Sequence, residues 1–252
     1  MKYLLGFIVV FKVFASLSAD SLAESKEALQ SKPVYEYPYS NLESELEREG
    51  KATLLIYSYG SLLDSASAER TFGEKALATR RLAIAVGTQR TFNRDVPLKP
   101  GQRWGLPCDD QARGMLNVVL TGSDRDLTNG ISMEVPIEDI SAMRNREEGY
   151  DLVPVVIAWW CDYLTEKNPD YKIAYTFHAR DATEFTSDNI YPRPGYYELT
   201  RDAAKRQGPL FYKMWMSSTY FSDKKTPITV WEEAVRTCHE ATLIIQQKCL
   251  CP

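Results

Sequence analysis

Histidine is scarce in this chain: its 252 residues include two, His178 and His239. A serine or cysteine nucleophile activated by imidazole would have to use one of them, and neither sits in a recognised catalytic setting. Both read as surface or strand residues. Also missing are a Gly-x-Ser-x-Gly elbow, a P-loop, a dinucleotide fingerprint and a His-Glu-x-x-His helix, which removes the common hydrolase, nucleotide-dependent and zinc-protease readings. Lysine and arginine form no block and the formal net charge is −4, so nucleic acid is not an expected partner. There is no internal repeat and no low-complexity tract. Cysteine occurs five times, at Cys108, Cys161, Cys238, Cys249 and Cys251. Cys249-Leu250-Cys251 has no second pair and no histidine cluster beside it, whereas a zinc site needs four well-spaced ligands. No metal or other cofactor is expected.

Long apolar runs are absent as well. Tyr3 to Phe11 is apolar, Lys12 interrupts, and Val13-Phe14-Ala15 resumes; a membrane span needs about 20 residues. With Met1-Lys2 in front and Ser16-Leu17-Ser18-Ala19 behind, residues 1–19 read as a signal peptide. That implies export, to the outside or a periplasm, with no stable membrane insertion after cleavage. An oxidising compartment permits a disulfide among Cys238, Cys249 and Cys251, and the odd count leaves at least one thiol unpaired.

What is present is an ordinary globular composition, 44% hydrophobic and 25% charged. Residues 20–50 read as an extension: a weakly helical Ser21–Lys32, a linker over Pro33–Ser40 and a short charged helix over Asn41–Gly50. Ala52–Tyr57 reads as a strand. Asp64 can cap a helix through Phe72 that Gly73 stops. Leu77–Phe92 reads as one buried strand, Asn93–Ala112 as a loop, Gly114–Leu120 as a strand, Gly122–Gly130 as a turn and Ile131–Val135 as a strand. Pro136 opens a helix that ends near Asn145–Gly149. Strands follow over Tyr150–Trp159 and Tyr171–His178, then helices over Tyr196–Gln207, Leu210–Phe221 and Val230–Lys248. Strands first and helices last imply an α+β fold, a mixed β-sheet or small barrel packed by peripheral helices.

Two stretches carry chemistry. Leu54-Leu55-Ile56-Tyr57-Ser58 runs into Tyr59-Gly60-Ser61-Leu62, and a small turn at a strand end leaves backbone N–H groups free to hold a carboxylate or an oxyanion. Arg146-Glu147-Glu148-Gly149-Tyr150-Asp151 lies between a helix and a strand. A carboxylate half-buried there would have its pKa raised toward neutrality and could serve as a general base.

Together, and with the residues between them, these stretches resemble the gamma-glutamylcyclotransferase-like superfamily. Tyr59-Gly60-Ser61-Leu62 is similar to its Tyr-Gly-Ser-x loop. Gly87-Thr88-Gln89-Arg90-Thr91-Phe92-Asn93 resembles its Gly-x-x-Arg-x-Phe-Asn segment, and Leu127-Thr128-Asn129-Gly130-Ile131 its Leu-x-Gly stretch with one extra residue. Arg146-Glu147-Glu148-Gly149-Tyr150, followed by Val153-Pro154-Val155, resembles its catalytic Arg-Glu-x-Gly-Tyr stretch. The likeness covers about Ala52 to Trp231, so the chain divides into a signal peptide (1–19), an extension (20–50), the resembling domain (51–231) and a C-terminal helix with a cysteine-containing tail (232–252).

The resemblance implies Glu147 as the catalytic acid/base, with Glu148 as the alternative. It implies Tyr59, Gly60, Ser61 and Leu62 as substrate-binding, and a correspondence of Tyr196 or Tyr197 with a tyrosine that closes the pocket in relatives. The activity implied is release of 5-oxoproline from a gamma-glutamyl peptide or amine. The competing expectations are a binding module that holds such an acidic small molecule without turnover, and an interaction domain using Trp159-Trp160, Met214-Trp215-Met216 and the cysteine tail. Those aromatic and methionine stretches read as core packing.

Overall fold

The computed structural model describes residues 21–96, 111–165, 169–180 and 184–230. The signal peptide read over 1–19, Cys108, His239, Cys238, Cys249, Cys251 and the final helix beyond Val230 lie outside the described residues. In chain order the elements are a helix over 21–30 (α1), α2 (Leu42–Arg48), β1 (Thr53–Ser58), a 3-10 turn (Ser61–Leu63), α3 (Ser65–Ala78), β2 (Arg81–Val86), β3 (Thr88–Asp95), β4 (Gly114–Leu120) and β5 (Leu127–Pro136). A second 3-10 turn (Ile137–Asp139), α4 (Ile140–Arg146), β6 (Tyr150–Trp159), α5 (Trp160–Thr165), β7 (Tyr171–Ala179), α6 (Pro194–Arg206), α7 (Pro209–Ser217) and β8 (Thr219–Tyr220) follow.

Five strands form a closed ring in the order β1-β5-β2-β6-β7, and β4-β3-β8 form a second sheet. Four junctions of the ring are antiparallel. The fifth, between β1 and β7, is parallel and pairs only Ile56 with Tyr175 and Tyr57 with Thr176. The fold is thus α+β, a mixed small barrel with helices around it. Ile56, Ile84, Ile131, Met133, Val135, Leu152 and Ile157 are fully buried from these strands, each worth roughly 1.5–3 kcal/mol of burial. Pro154 fits inside the long β6 because its nitrogen, like the Leu152 amide two residues earlier, points away from β7. The Leu152 amide bonds Tyr35 there at 2.9 Å, and the β2 ladder starts only at Val156.

Asp64 caps α3, its carboxylate accepting from the Ser67 amide at 2.9 Å. Gly73 kinks that helix and does not end it; helical residues resume and run to Ala78. The single strand expected over Leu77–Phe92 is in fact the end of α3 and two strands in different sheets. Gly87, at φ 74°, turns the corner between them, a conformation that costs a residue with a Cβ more than glycine. The loop expected from Asn93 begins later, because Asn93–Asp95 still belongs to β3.

The turn expected over Gly122–Gly130 is also shorter, since β5 starts at Leu127. Thr128 and Asn129 look like turn residues but are buried, with their polar atoms satisfied by the Tyr57 and Thr88 hydroxyls, Arg90 and the Phe211 carbonyl. Leu210–Phe221, expected as one helix, is α7 followed by β8.

The stretch read as a linker, Pro33–Ser40, is packed. Tyr35 bridges to Leu152, Tyr39 is buried, and with Leu42 and Leu46 of α2 they join the one hydrophobic cluster that includes the barrel. Trp160, Trp215 and Met216 are buried in that cluster too, and Trp159 packs against it beneath Arg81. Cys161 is a free, exposed thiol. His178 lies in β7 with Nδ1 2.7 Å from the Val118 carbonyl. No helix among the described residues is long and apolar enough to cross a membrane.

Candidate functional site

β1 delivers Ser58 and Tyr59 to its carboxyl end, and the chain tightens at Gly60 into the 3-10 turn. The Gly60 and Ser61 carbonyls accept from the Leu63 and Asp64 amides. The amides of Gly60 and Leu62 have no acceptor among the described residues, while that of Ser61 faces the Tyr196 hydroxyl. Glycine is required at 60 by proximity: a Cβ there would stand 2.9 Å from the Tyr196 oxygen.

Glu147 ends α4. Its amide donates to the Met143 carbonyl at 3.0 Å and its carbonyl accepts from the Tyr150 amide at 3.1 Å, so the chain turns directly into β6. The side chain is 14% exposed. Arg146 holds it, Nε to Oε1 at 3.2 Å, and the same guanidinium donates to Ser67 Oγ at 2.7 Å and Ser61 Oγ at 3.2 Å. One arginine therefore ties the carboxylate to the Tyr59–Leu62 loop and to the start of α3. Burial raises the Glu147 carboxyl above the ordinary range, and the neighbouring Arg146 charge works against that rise.

Glu147, Ser58, Tyr59, Gly60, Ser61 and Leu62 line one small cavity, with Leu116, Tyr150, Phe177 and Tyr196 as the other walls; its empty volume is about 280 Å³. Tyr59 donates to the Phe177 carbonyl at 2.6 Å and Tyr150 to the Leu116 carbonyl at 2.9 Å. Burial pushes the phenols of Tyr59, Tyr150 and Tyr196 up, so all three stay neutral near pH 7. Tyr197 does not line the cavity; it packs on Phe92 and Trp215. Glu148 is exposed and outside the lining. Leu116 and Phe177 join the site from β4 and β7 with no local signal in the sequence, and Arg146 was legible only as the residue before Glu147.

The arrangement can present amide donors to an anionic oxygen, a proton-accepting carboxylate opposite, and an aromatic wall that excludes water. No group of three or more histidine, cysteine, aspartate or glutamate side chains among the described residues could hold a metal. A second concavity, with an empty volume of about 1450 Å³, lies between α1 and the barrel face and is rimmed by Glu24, Lys32, Glu49, Lys51 and Glu134.

No protein-family model matches the chain, and no curated protein matches it. Solved structures do. YkqA from Bacillus subtilis is 17% identical with a TM-score of 0.48; the match covers 68% of this chain and 55% of YkqA, so this chain spans about half of that protein's length. A structure titled gamma-glutamyl cyclotransferase is 13% identical over 73% of this chain and 99% of its own, at a TM-score of 0.47. A yeast gamma-glutamyl cyclotransferase specific to glutathione is 13% identical over 63% of this chain and 89% of its own, at 0.45. The solved structures to which this chain is similar thus include members of the superfamily that its own motifs resemble.

Proposed function

We propose that the protein is a gamma-glutamylcyclotransferase-type lyase, releasing 5-oxoproline from a gamma-glutamyl peptide or amine. The observation that carries this reading is the meeting of Glu147 with the Tyr59–Leu62 loop in one cavity, its carboxyl raised by burial. A gamma-glutamyl group holds its own nucleophile, the alpha-amine, at the right distance to close a five-membered ring on the side-chain carbonyl. Glu147 takes a proton from the alpha-ammonium; the freed nitrogen bonds to the carbonyl carbon; the C–N bond to the leaving amine breaks, and Glu147 returns the proton to that amine. The Gly60 and Leu62 amides are the available donors for an anionic oxygen. Because the attack is intramolecular, much of the barrier falls by positioning the folded substrate. The chemistry uses no covalent enzyme intermediate, in keeping with the shortage of histidine.

The Arg146–Glu147 ion pair, at 3.2 Å, supports a second reading, a pocket that binds a gamma-glutamyl ligand without turnover. A product assay for 5-oxoproline against glutathione, gamma-glutamyl dipeptides and gamma-glutamyl-lysine separates the two. Product with any of them supports the lyase. Saturable binding with no product from the wild type supports the binding module.

Export remains part of the proposal. An exported lyase would meet gamma-glutamyl compounds outside the cytosol, and secretion of the full chain into culture medium or periplasm is the measurement that checks it.

A further inference from the structure

β3 carries an arginine that the proposed chemistry leaves unused. Arg94 stands with its guanidinium carbon 5.3 Å from the centre of the Tyr150 ring and 5.3 Å from that of Phe185. Nη1 donates to the carbonyls of Asp95, at 3.2 Å, and Phe185, at 3.0 Å. Nε is buried without a partner. Nη2 abuts Gly149, where a Cβ would overlap it, and no hydrogen bond to a carboxylate engages it among the described residues. Neighbouring arginines differ. Arg113 pairs with Asp95 at 2.7 Å, Arg146 with Glu147 at 3.2 Å and Arg180 with Asp151 at 2.8 Å. Arg94 has no acidic partner among the described residues, although Asp95 is next to it in the chain.

A half-buried guanidinium without a counter-charge pays for desolvation and gains little in return. Planar, bidentate recognition of a carboxylate is what that group does best. Its field reaches the cavity, because its charge pulls down the Tyr150 phenol against the effect of burial, and Tyr150 lines that cavity. Along the chain, Arg94 touches the turn just beyond Glu147, away from the Gly60 and Leu62 amides. In the proposed reaction that is the side on which Glu147 meets the departing amine.

We propose that Arg94 binds a carboxylate on the leaving-group side of the ligand, so that the preferred substrates are gamma-glutamyl amino acids and peptides whose released amine carries a carboxylate, and not gamma-glutamylamines. This rests on the gamma-glutamyl reading of the cavity. The test compares gamma-glutamyl-alanine with gamma-glutamyl-ethylamide, which differ only by that carboxylate. The wild type is expected to favour gamma-glutamyl-alanine by about tenfold or more in kcat/KM, chiefly through KM, with the preference shrinking at high salt. Arg94→Met should bring the ratio to within about twofold, and Arg94→Lys, which keeps the charge without the fork, should fall between. Equal use of the two by the wild type overturns the assignment, as does an unchanged preference in a folded Arg94→Met; if that variant does not fold, Arg94→Lys with wild-type preference has the same force. If neither compound turns over, calorimetry with the wild type decides. Carboxylate-dependent binding upholds the Arg94 subsite while removing the lyase, and no binding of either removes both.

Discussion

The two concavities of this protein invert the usual relation between size and chemistry. The groove beneath α1 is about five times larger in empty volume than the cavity at Glu147, at 1450 against 280 Å³. Yet its charged groups behave as surface groups do. Glu49, beside Lys51 at 2.5 Å, has its carboxyl lowered by that lysine, and both side chains are about half exposed. Glu147 has its carboxyl raised, because burial outweighs Arg146. Two glutamates, each next to a cation, move in opposite directions, and solvent access decides which. Volume marks where a ligand would fit; a carboxylate held out of water beside free amide donors marks where a proton could be moved.

The strongest way to break this contrast is Glu147→Gln, which should lower 5-oxoproline release by about 10³-fold if one carboxylate serves as both base and acid. Circular dichroism should stay that of the wild type, and Glu148→Gln should leave turnover unchanged. Wild-type turnover in Glu147→Gln would shift the assignment to Glu148.

Arg146→Met comes next. Freed of the opposing charge, the Glu147 carboxyl rises further, so the acid limb of kcat/KM moves to higher pH. Loss of the ties to Ser61 and Ser67 should add a fall of about 10–100-fold at the plateau. An unshifted limb would show that the ion pair does not tune the carboxylate. The sign for stability follows from the same shift. Glu147 binds its proton more tightly folded than unfolded, so its contribution to stability is most favourable at low pH and declines as pH rises from the unfolded pKa through the raised folded one. Glu147→Gln should flatten that decline in a series of thermal melts.

A smaller effect is expected where the extension borders both concavities. Tyr35 lines the groove, while the Tyr39 hydroxyl donates to the Tyr150 carbonyl at 2.6 Å, and its phenol is raised by burial and then by the Glu147 charge. Tyr39→Phe should cost about 1–3 kcal/mol in chemical denaturation, the range for leaving a buried carbonyl unpaired. The smallest effect belongs to the groove: Lys51→Ala should change neither melting temperature nor turnover beyond error. A loss of activity there would make the larger concavity part of the site.

The sequence carried the strand-to-turn signal of Leu54–Leu62 and the helix-to-strand junction at Glu147 because both are local: an apolar run, small turn residues, a carboxylate before a glycine. The extension was misjudged for the opposite reason. Tyr35 and Tyr39 sit among proline and polar residues, and their burial comes from β6, more than a hundred positions away. Leu77–Phe92 looked continuous because apolar periodicity cannot say which sheet a residue joins, and only the backbone at Gly87 divides it. Thr128 and Asn129 looked like a turn because their partners, Tyr57, Thr88 and Arg90, are distant in sequence. Tyr196 and Tyr197 are neighbours on α6 and could be separated only by seeing which faced Gly60.

The brief parallel junction between β1 and β7 has a consequence for how a ligand would enter and be felt. After Tyr57 and Thr176 the two strands stop pairing, and the residues just beyond, Ser58, Tyr59 and Phe177, are walls of the cavity. The cavity is an unzipped seam at the carboxyl ends of the one parallel pair in the ring, the place where open α/β sheets also leave room for ligands. Wall and latch are then the same few peptide groups. A bound molecule would fasten the seam, and amide hydrogen exchange along β1 and β7 should slow on saturation while the antiparallel β2–β5 ladder stays as it was.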